Sequence, residues 1–252
     1  MESVFTQTYD IKDNMVDCQG YLKPSQILFI AQDMGGRHCK ELTLSYDDMA
    51  ARGLFWAVSR HRVQITRLPM SGETIRVETW AMPATAAAYP RSVVAYDAKG
   101  KECFRSITLW VIMTLDTRKM LSPSKSGIQV AGITRGLELS SPKGLVPRNM
   151  VNSSPRRVCY TDIDRNGHMN NARYADFACD ALRLDRLEQE EGKYLASLRL
   201  GYVAECRPGE VLSILEGPGM GGENYLCGLD ETGKTRFEAA LLFGQNPSLT
   251  TP

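Results

Sequence analysis

The sequence predicts an α+β protein made of two tandem copies of one domain, each with a long helix wrapped by an antiparallel β-sheet. Three observations lead to this fold class: a weak internal repeat, one apolar helical stripe in each half, and a group of strand-like segments after each stripe. The chain has 252 residues, which is long enough for two domains with cores of their own.

The repeat is clearest where residues 17–33 are aligned with residues 164–180. Identical pairs in this alignment are Asp17 with Asp164, Gly20 with Gly167, Ala31 with Ala178, and Asp33 with Asp180. Two shorter similarities follow in the same order along the chain, 67–77 with 206–214 and 100–104 with 233–237. Each similarity is weak alone, but their shared order indicates two copies of one structural unit.

Each copy contains one segment with apolar residues at helical spacing. In the first copy Pro24 fits the opening turn of a helix, and Gly35 and Gly36 are expected to weaken that helix about one turn before His38. The stripe of the first copy consists of Ile27, Ile30, Ala31 and Met34, and that of the second consists of Tyr174, Phe177, Ala178, Ala181, Leu184 and Leu187. Each stripe predicts one helix that packs against a sheet.

Segments rich in β-branched and aromatic residues follow each helix. They are residues 55–68, 74–80, 89–97 and 104–116 in the first copy, and 194–206, 211–217, 224–230 and 235–244 in the second. Glycine-containing turns separate them, which favours antiparallel strands. Residues 122–149 contain Pro, Gly, Ser and Lys. We therefore expect mainly a linker there, between a first domain of residues 1–130 and a second of residues 150–252.

Composition excludes several classes of protein. The formal net charge of +1 provides no overall field for nucleic acid. The seven cysteines form no C-x-x-C pair, which argues against a disulfide framework, and the spacing of the three histidines argues against a metal site. The N-terminal segment lacks the apolar core of a signal peptide, and no apolar run has the length of a membrane span. These features predict a cytoplasmic protein without metal or cofactor and without a membrane or nucleic-acid partner.

Polar residues are concentrated just before the second helix, in residues 160–174. They are Asp162, Asp164, Asn166, His168, Asn170 and Asn171. If the stretch is extended, alternate side chains place Asp164, Asn166 and His168 on one face. Asn170 or Asn171 is expected to cap the helix, and the first amides of the helix are suited to stabilise an oxyanion. A general base next to such donors is what acyl transfer requires.

This pattern, D-x-N-x-H-x-N-N-x-x-Y from Asp164 to Tyr174, resembles the signature of the acyl-carrier-protein thioesterases, the plant plastid enzymes and their bacterial relatives. The adjacent residues Glu205 and Cys206 resemble the Glu-Cys pair on the strand after the helix in that family. The resemblance implies two tandem hotdog domains over nearly the whole chain. It also implies hydrolysis of fatty acyl-[acyl-carrier-protein] thioesters, which ends fatty acid chain elongation, with acyl carrier protein as partner.

The resemblance also implies roles for single residues. Asp164, Asn166, His168 and Glu205 are its catalytic set: Glu205, helped by His168, activates a water, Asn166 positions that water or the thioester carbonyl, and Asp164 orients groups at the turn. A second mechanism uses Cys206 as the nucleophile. Neighbours in a regular strand point to opposite faces, so only one of Glu205 and Cys206 is expected to face His168.

The first copy lacks these groups in the repeat alignment. Tyr21 takes the place of His168 and Gln19 that of Asn166, while Thr66 or Arg67 is expected opposite Glu205. This contrast predicts catalysis in the second domain and acyl-chain binding in the first. Trp56, on the strand after the first helix, is expected to line the acyl tunnel, and Asn170 and Asn171 are further candidates for substrate contacts.

Three alternatives remain open at the level of sequence. One is an acyl-CoA thioesterase on the same scaffold, and another is a dehydratase acting on a 3-hydroxyacyl thioester. The third is a non-enzymatic module that binds acyl thioesters, which buried ionisable groups disfavour. A homodimer is compatible with the sequence, and Arg156, Arg157, Arg183 and Arg186 are candidates for contacts with an acidic carrier.

Overall fold

A computed structural model describes residues 4–135 and 150–245 of the chain. The chain divides into two compact units, residues 1–142 (unit 1) and residues 143–252 (unit 2). Within the described ranges no helix has both the length and the apolar composition needed to cross a membrane.

Unit 1 contains one antiparallel sheet and a long helix. Its elements are β1 (Phe5–Asp10), α1 (Pro24–Glu41), α2 (Tyr46–Ala50), β2 (Leu54–Ile65), β3 (Thr74–Ala81), β4 (Tyr89–Tyr96), β5 (Glu102–Thr114), β6 (Met120–Leu121) and α3 (Pro123–Ser126). The strands pair in the order β1-β3-β4-β5-β2, and β6 adds to β5. Helix α1 packs against β1, β3 and β4.

The apolar stripe predicted for the first helix is confirmed, since Ile27, Ile30, Ala31 and Met34 are all buried in α1. The glycines expected to weaken this helix do not end it, because α1 continues through them to Glu41. A Cβ atom on Gly35 would lie 3.4 Å from Cδ of Arg91. A small side chain at this position would thus be in van der Waals contact with Arg91.

Unit 2 repeats the arrangement. Its elements are β7 (Val151–Arg157), α4 (Arg173–Ala181), α5 (Leu184–Glu191), β8 (Lys193–Tyr202), β9 (Val211–Pro218), β10 (Asn224–Leu229) and β11 (Thr235–Gln245). The strands pair in the order β7-β9-β10-β11-β8, which is the order of unit 1. Both units thus have the α+β architecture of the hotdog fold, as predicted.

The single helix predicted for the second copy is instead two shorter helices. Arg183 adopts a left-handed backbone conformation with φ 52°, which ends α4 before α5 begins. This conformation is unfavourable for residues other than glycine and asparagine, so no local sequence signal marks the break. Tyr174, Phe177 and Ala178 of the predicted stripe are buried in α4, whereas Ala181 and Leu187 are only partly buried.

The first part of the predicted linker packs onto unit 1. Ile128 is buried, and its carbonyl accepts a hydrogen bond of 2.9 Å from the hydroxyl of Tyr89. The N–H of Ile133 donates to the carbonyl of Ala81 at 2.9 Å. Residues 136–149 of the predicted linker lie outside the described residues.

Candidate active site

The polar motif before α4 forms a tight turn, not the extended stretch that the alternation argument assumed. The N–H of Asp164 donates to the carbonyl of His168 at 2.9 Å, and the N–H of Gly167 donates to the carbonyl of Asp164 at 3.0 Å. Gly167 has φ 82°, a conformation that favours glycine. Oδ1 of Asp164 accepts the N–H of Asn166 at 2.8 Å. Asp164 therefore stabilises the turn that presents Asn166 and His168.

Glu205 lies in a loop, which corrects the expectation that it is on a strand. Strand β8 ends at Tyr202, and residues 203–210 lead to β9 without strand pairing. The carbonyl of Cys206 accepts the N–H of Met169 at 2.8 Å, which joins this loop to the polar turn. Nε2 of His168 consequently lies 3.2 Å from Oε2 of Glu205. Two residues far apart in sequence thus meet as an acid–base pair.

The His168–Glu205 pair is open to solvent on the carboxylate side. The side chain of Glu205 is 40% exposed and that of His168 is 17% exposed. The Nε2 atom itself is buried, and it forms no aligned hydrogen bond with the described residues although Glu205 is near. A carboxylate reachable by water next to such an imidazole nitrogen has the arrangement that general-base activation of water requires.

Cys206 faces away from this pair. Its side chain is fully buried, and it is hydrogen-bonded to the hydroxyl of Tyr174. Burial raises the pKa of the Cys206 thiol, and the contact with Tyr174 offsets only part of that effect. A catalytic cysteine needs the opposite, a lowered pKa and access to substrate. Glu205 and Cys206 thus point in different directions even though they do not lie in a regular strand.

Asn170 and Asn171 organise the start of α4, although the residue directly before the helix is Ala172. Oδ1 of Asn170 accepts the N–H of Ala172 at 2.9 Å. The backbone carbonyl of Asn170 accepts the N–H of Arg173, also at 2.9 Å. The carbonyl of Asn171 accepts the hydroxyl of Tyr202 at 3.0 Å. Asn170 therefore makes a side-chain contact of the kind predicted for a cap, but it makes that contact just ahead of the helix.

The equivalent turn in unit 1 has the same backbone but other side chains. The N–H of Asp17 donates to the carbonyl of Tyr21 at 2.9 Å, as that of Asp164 does to His168. The N–H of Leu22 donates to the carbonyl of Pro69 at 2.8 Å, as that of Met169 does to Cys206. Pro69 therefore corresponds to Cys206, and Leu68 corresponds to Glu205. The expectation of Thr66 or Arg67 at this place is wrong, because the alignment gap falls elsewhere.

Unit 1 contains a cavity of about 620 Å³. Its lining residues are Leu42, Leu44, Ala84, Tyr89, Pro123, Ile128, Gln129, Val130 and Ala131. Trp56 is not among them, but its ring packs edge-on against Tyr89 with centroids 5.1 Å apart, and its indole N–H donates to the carbonyl of Leu44 at 3.2 Å. Trp56 thus supports the wall of the cavity from behind.

The residues that hold the Glu205 loop were missed by sequence reasoning. Arg236 donates to the carbonyl of Glu205 at 3.0 Å, and its side chain comes from the neighbouring strand β11. The only sequence signal was the similarity of residues 100–104 and 233–237, in which Cys103 stands where unit 2 has Arg236. Among the described residues no group of three His, Cys, Asp or Glu side chains is placed to hold a metal ion.

Comparison with protein families identifies both halves of the chain. Residues 2–125 match the model of the acyl-ACP thioesterase N-terminal domain, and residues 147–245 match that of the acyl-ACP thioesterase C-terminal domain. The first range lies in unit 1 and the second in unit 2, and the second contains the residues of the candidate site.

Plant proteins are similar to most of the chain. A chloroplastic acyl-[acyl-carrier-protein] hydrolase of Cuphea viscosissima is 26% identical over 248 residues, 88% of this chain and 57% of the relative. A chloroplastic palmitoyl-acyl carrier protein thioesterase of Gossypium hirsutum is 25% identical over 230 residues, 84% of this chain and 54% of the relative. The chain therefore spans about half the length of these relatives.

Solved structures share the fold. An acyl-ACP thioesterase from Bacteroides thetaiotaomicron superposes with a TM-score of 0.85 at 21% identity, over 96% of this chain and 98% of that one. A 12:0-ACP thioesterase from Umbellularia californica gives a TM-score of 0.76 at 21% identity, over 96% of this chain and 97% of that one. At this identity the similarity establishes the fold of the chain.

Proposed function

The chain belongs to the acyl-ACP thioesterase family, and we propose that it hydrolyses fatty acyl-[acyl-carrier-protein] thioesters to free fatty acid and holo-carrier protein. Such a reaction ends fatty acid chain elongation. The observation that carries the proposal is the contact of 3.2 Å between His168 and Glu205, in a unit whose structural counterpart has Tyr21 and Leu68 at the same places. An acid–base pair in only one of two equivalent folds is evidence for chemistry and not for scaffold stability.

In the proposed mechanism Glu205 removes a proton from a water molecule, and the resulting hydroxide attacks the thioester carbonyl carbon. A tetrahedral oxyanion forms and is stabilised by the positive end of the α4 dipole, since the N–H groups of Ala172 and Arg173 already donate to Asn170. Its collapse breaks the carbon–sulfur bond, and the leaving thiolate takes up the proton from the Glu205–His168 pair. Protonation of the thiolate returns the pair to its initial state. The products are a thiol and a carboxylic acid, which ionises by releasing its proton to solvent.

Asn166 and Asp164 act beside this pair. Asn166 is exposed in the turn that also carries His168. Its side-chain N–H donates to Oδ2 of Asp164 at 3.4 Å, so Asp164 orients the amide that positions the water or the carbonyl oxygen. Asp164 contributes by fixing the turn, since its carboxylate accepts the N–H of Asn166. Both roles rest on the resemblance together with this local geometry.

Cys206 is not the nucleophile in this mechanism. A fully buried thiol with a raised pKa is mostly protonated near neutral pH, and a thiol is a far weaker nucleophile than a thiolate. The exposed carboxylate of Glu205 next to His168 needs no such activation. No covalent acyl-enzyme is therefore expected to accumulate.

Unit 1 is proposed to bind the acyl chain. Most residues that line its cavity of about 620 Å³ have apolar side chains that can contact an aliphatic ligand, although polar atoms share the lining. Its turn lacks the acid–base pair, so the two units divide binding and chemistry between them.

The experiment compares Glu205→Gln and His168→Ala with Cys206→Ala in steady-state hydrolysis. The first two variants are expected to lower kcat by about 10²–10⁴, which is typical for loss of a positioned acid or base. Cys206→Ala is expected to keep most of the activity. Leu68→Gln is the matched control, because it makes a change at the equivalent place in unit 1 and should leave kcat unaltered. Near-normal activity of Glu205→Gln, or an acyl group trapped on Cys206 by rapid quench, would refute the mechanism.

The carrier is tested with the same acyl group on acyl carrier protein and on coenzyme A, for chain lengths from eight to eighteen carbons. A preference for the carrier protein that weakens with salt is expected, because carrier protein is acidic. Two of the candidate arginines already have acidic partners: Arg156 contacts Asp180, and Arg183 contacts Asp185 at 3.0 Å. An equal or faster rate on coenzyme A at low salt would assign the chain to acyl-CoA hydrolysis instead. Binding without turnover of either thioester would indicate a non-enzymatic module. A cytoplasmic location and a homodimer stay predictions.

A further inference from the structure

An arginine anchors the loop that carries Glu205. Nη1 of Arg236 donates to the carbonyl of Glu205 at 3.0 Å, and Nη2 donates to Oε1 of Glu210 at 3.4 Å. Nε of Arg236 lies 3.1 Å from Oδ2 of Asp230. One guanidinium on strand β11 thus bridges two carboxylates and holds the backbone of the proposed general base.

Unit 1 has a guanidinium in the corresponding place, but it comes from a different position in the sequence. Nη2 of Arg67 contacts Oε2 of Glu73 at 2.7 Å and Oδ2 of Asp97 at 3.3 Å. Nη1 of Arg67 lies 3.5 Å from the carbonyl of Leu68. The two acidic partners and the carbonyl acceptor are therefore the same set as in unit 2.

Backbone hydrogen bonds establish the correspondence. The N–H groups of Thr66 and Arg67 both donate to the carbonyl of Cys103, at 2.9 and 3.0 Å. Those of Val203 and Ala204 both donate to the carbonyl of Arg236, also at 2.9 and 3.0 Å. Arg67 therefore corresponds to Ala204, and Cys103 corresponds to Arg236. The arginine thus lies in the loop in unit 1 and on the adjacent strand in unit 2.

The acidic partners correspond in the same way. The carbonyl of Glu73 accepts the N–H of Ile11 at 2.8 Å, and that of Glu210 accepts the N–H of Val158 at 2.8 Å. Asp97 and Asp230 each begin an equivalent turn, in which the carbonyl accepts the N–H of a glycine at 2.9 Å. Only the origin of the guanidinium differs.

From this difference we infer that Arg236 is a positioning residue for Glu205, an inference that rests on the proposed function. In unit 2 the donor belongs to a strand of the sheet, and it ties the loop carbonyl to that strand at 3.0 Å. In unit 1 the donor belongs to the loop, and its distance of 3.5 Å to the next carbonyl is at the limit of a hydrogen bond. A donor fixed outside the loop restrains the loop, whereas a donor within it moves with it.

The physical requirement for such a restraint is strict. Glu205 lies outside the strand ladder, and its side chain must stay near His168 for the pair to act. A misplacement of about 1 Å in a catalytic group can lower the rate about 100-fold. A charge-assisted hydrogen bond to the peptide carbonyl of Glu205 opposes that displacement.

The test is a double-mutant cycle between Arg236→Cys and Glu205→Gln in the full chain. Cysteine is the residue that unit 1 has at the equivalent place. Arg236→Cys is expected to lower kcat about 10- to 100-fold with KM changed less than about threefold. In the Glu205→Gln background the same substitution is expected to have almost no further effect on kcat, because Arg236 acts through Glu205. Rates are measured well below the unfolding transition of every variant.

Arg67→Cys is the matched control, since it removes the corresponding guanidinium from the corresponding carboxylates of unit 1. It should lower thermal stability about as much as Arg236→Cys and leave kcat within about twofold of wild type. Equal kcat values for the two arginine variants, with Glu205→Gln inactive, would overturn the positioning role of Arg236 but not the proposed mechanism. Full activity of Glu205→Gln would overturn the proposed mechanism and the inference with it.

A second variant keeps the test decisive if Arg236→Cys does not fold. The double substitution Ala204→Arg with Arg236→Cys supplies the guanidinium from the loop, as unit 1 does. Folding is expected to recover, while kcat stays at least about tenfold below wild type because the anchor again moves with the loop. Wild-type kcat in this double variant would contradict a positioning role for Arg236.

Discussion

Lowering the pH from 7.5 to 5.0 is expected to destabilise the protein through two buried histidines of unit 1. His38 is 2% exposed and His61 is 5% exposed. Burial lowers the pKa of His38 to about 4, with a further contribution from the charge of Arg91, whose Nη1 lies 2.8 Å from Nδ1. Burial lowers the pKa of His61 to about 4 as well. Both rings are therefore neutral in the folded protein throughout this pH range.

The sign and size of the effect follow from linkage. An unfolded histidine has a pKa of about 6.5 and binds a proton below that pH, whereas the folded protein resists protonation until the pH approaches 4. The unfolded state therefore gains protons first, and stability falls as the pH falls between these values. At about 1.4 kcal/mol per pH unit, the 1.5 units between 6.5 and 5.0 correspond to about 2 kcal/mol for each histidine. The two together contribute about 4 kcal/mol.

Urea denaturation of wild type, His38→Gln and His61→Gln at pH 7.5 and 5.0 measures the effect. Glutamine does not titrate, so each variant is expected to lose about half as much stability as wild type over this interval, whatever its stability at pH 7.5. The pKa of Glu73 is lowered by its hydrogen bonds with Arg67, so this carboxylate stays ionised over the interval and contributes little. The same loss of free energy in all three proteins would refute the assignment of the pH dependence to these rings.

Three further outcomes are expected. Asp164→Ala should lower kcat about tenfold more than Asp164→Asn, because asparagine retains an acceptor for the N–H of Asn166; equal rates for the two variants would show that the acceptor is unimportant. Gly228→Ala should destabilise the protein by about 1–3 kcal/mol, since the added Cβ would lie 2.2 Å from the ring of Phe237, and an unchanged urea midpoint would contradict this. Gly132→Ala should weaken the binding of a fluorescent fatty acid without changing the rate of the chemical step at His168 and Glu205. The added Cβ would lie 2.2 Å from the backbone of Pro83, next to residues 128–131 of the cavity lining. Unaltered affinity would show that these residues do not take part in acyl binding.

The strands and the first helix were predictable from sequence because their signals are local. Alternation and β-branched content placed the eight strands β2 to β5 and β8 to β11 within a few residues of their observed bounds, apart from residues 203–206. Strands β1, β6 and β7 were not assigned from the sequence. The apolar spacing around Ile27 and Met34 likewise identified α1. The repeat predicted that both units share one arrangement, but the order of the strands in each sheet was not predicted.

The errors occur where tertiary contacts override local pattern. Arg183 ends α4 in a conformation that its residue type does not suggest. Glu205 lies in a loop because the chain leaves the ladder after Tyr202, although apolar residues continue through Val203 and Ala204. The pairing of Leu68 with Glu205 required backbone hydrogen bonds to locate the alignment gap. In such a loop, matching residue types do not show which positions correspond, whereas matching backbone hydrogen bonds do.

The different position of the anchoring arginine in the two units has a consequence for the history of the two halves. A lineage that passed from one arrangement to the other by single substitutions had to carry either two arginines or none at this place. With none, Glu210 and Asp230 would lose their shared cation, whereas two guanidiniums between two carboxylates leave the local charge balanced. The route through two arginines is therefore the less costly one. Homologous sequences with arginine at the places of both Ala204 and Arg236 would preserve that intermediate, and sequences lacking both should be rare.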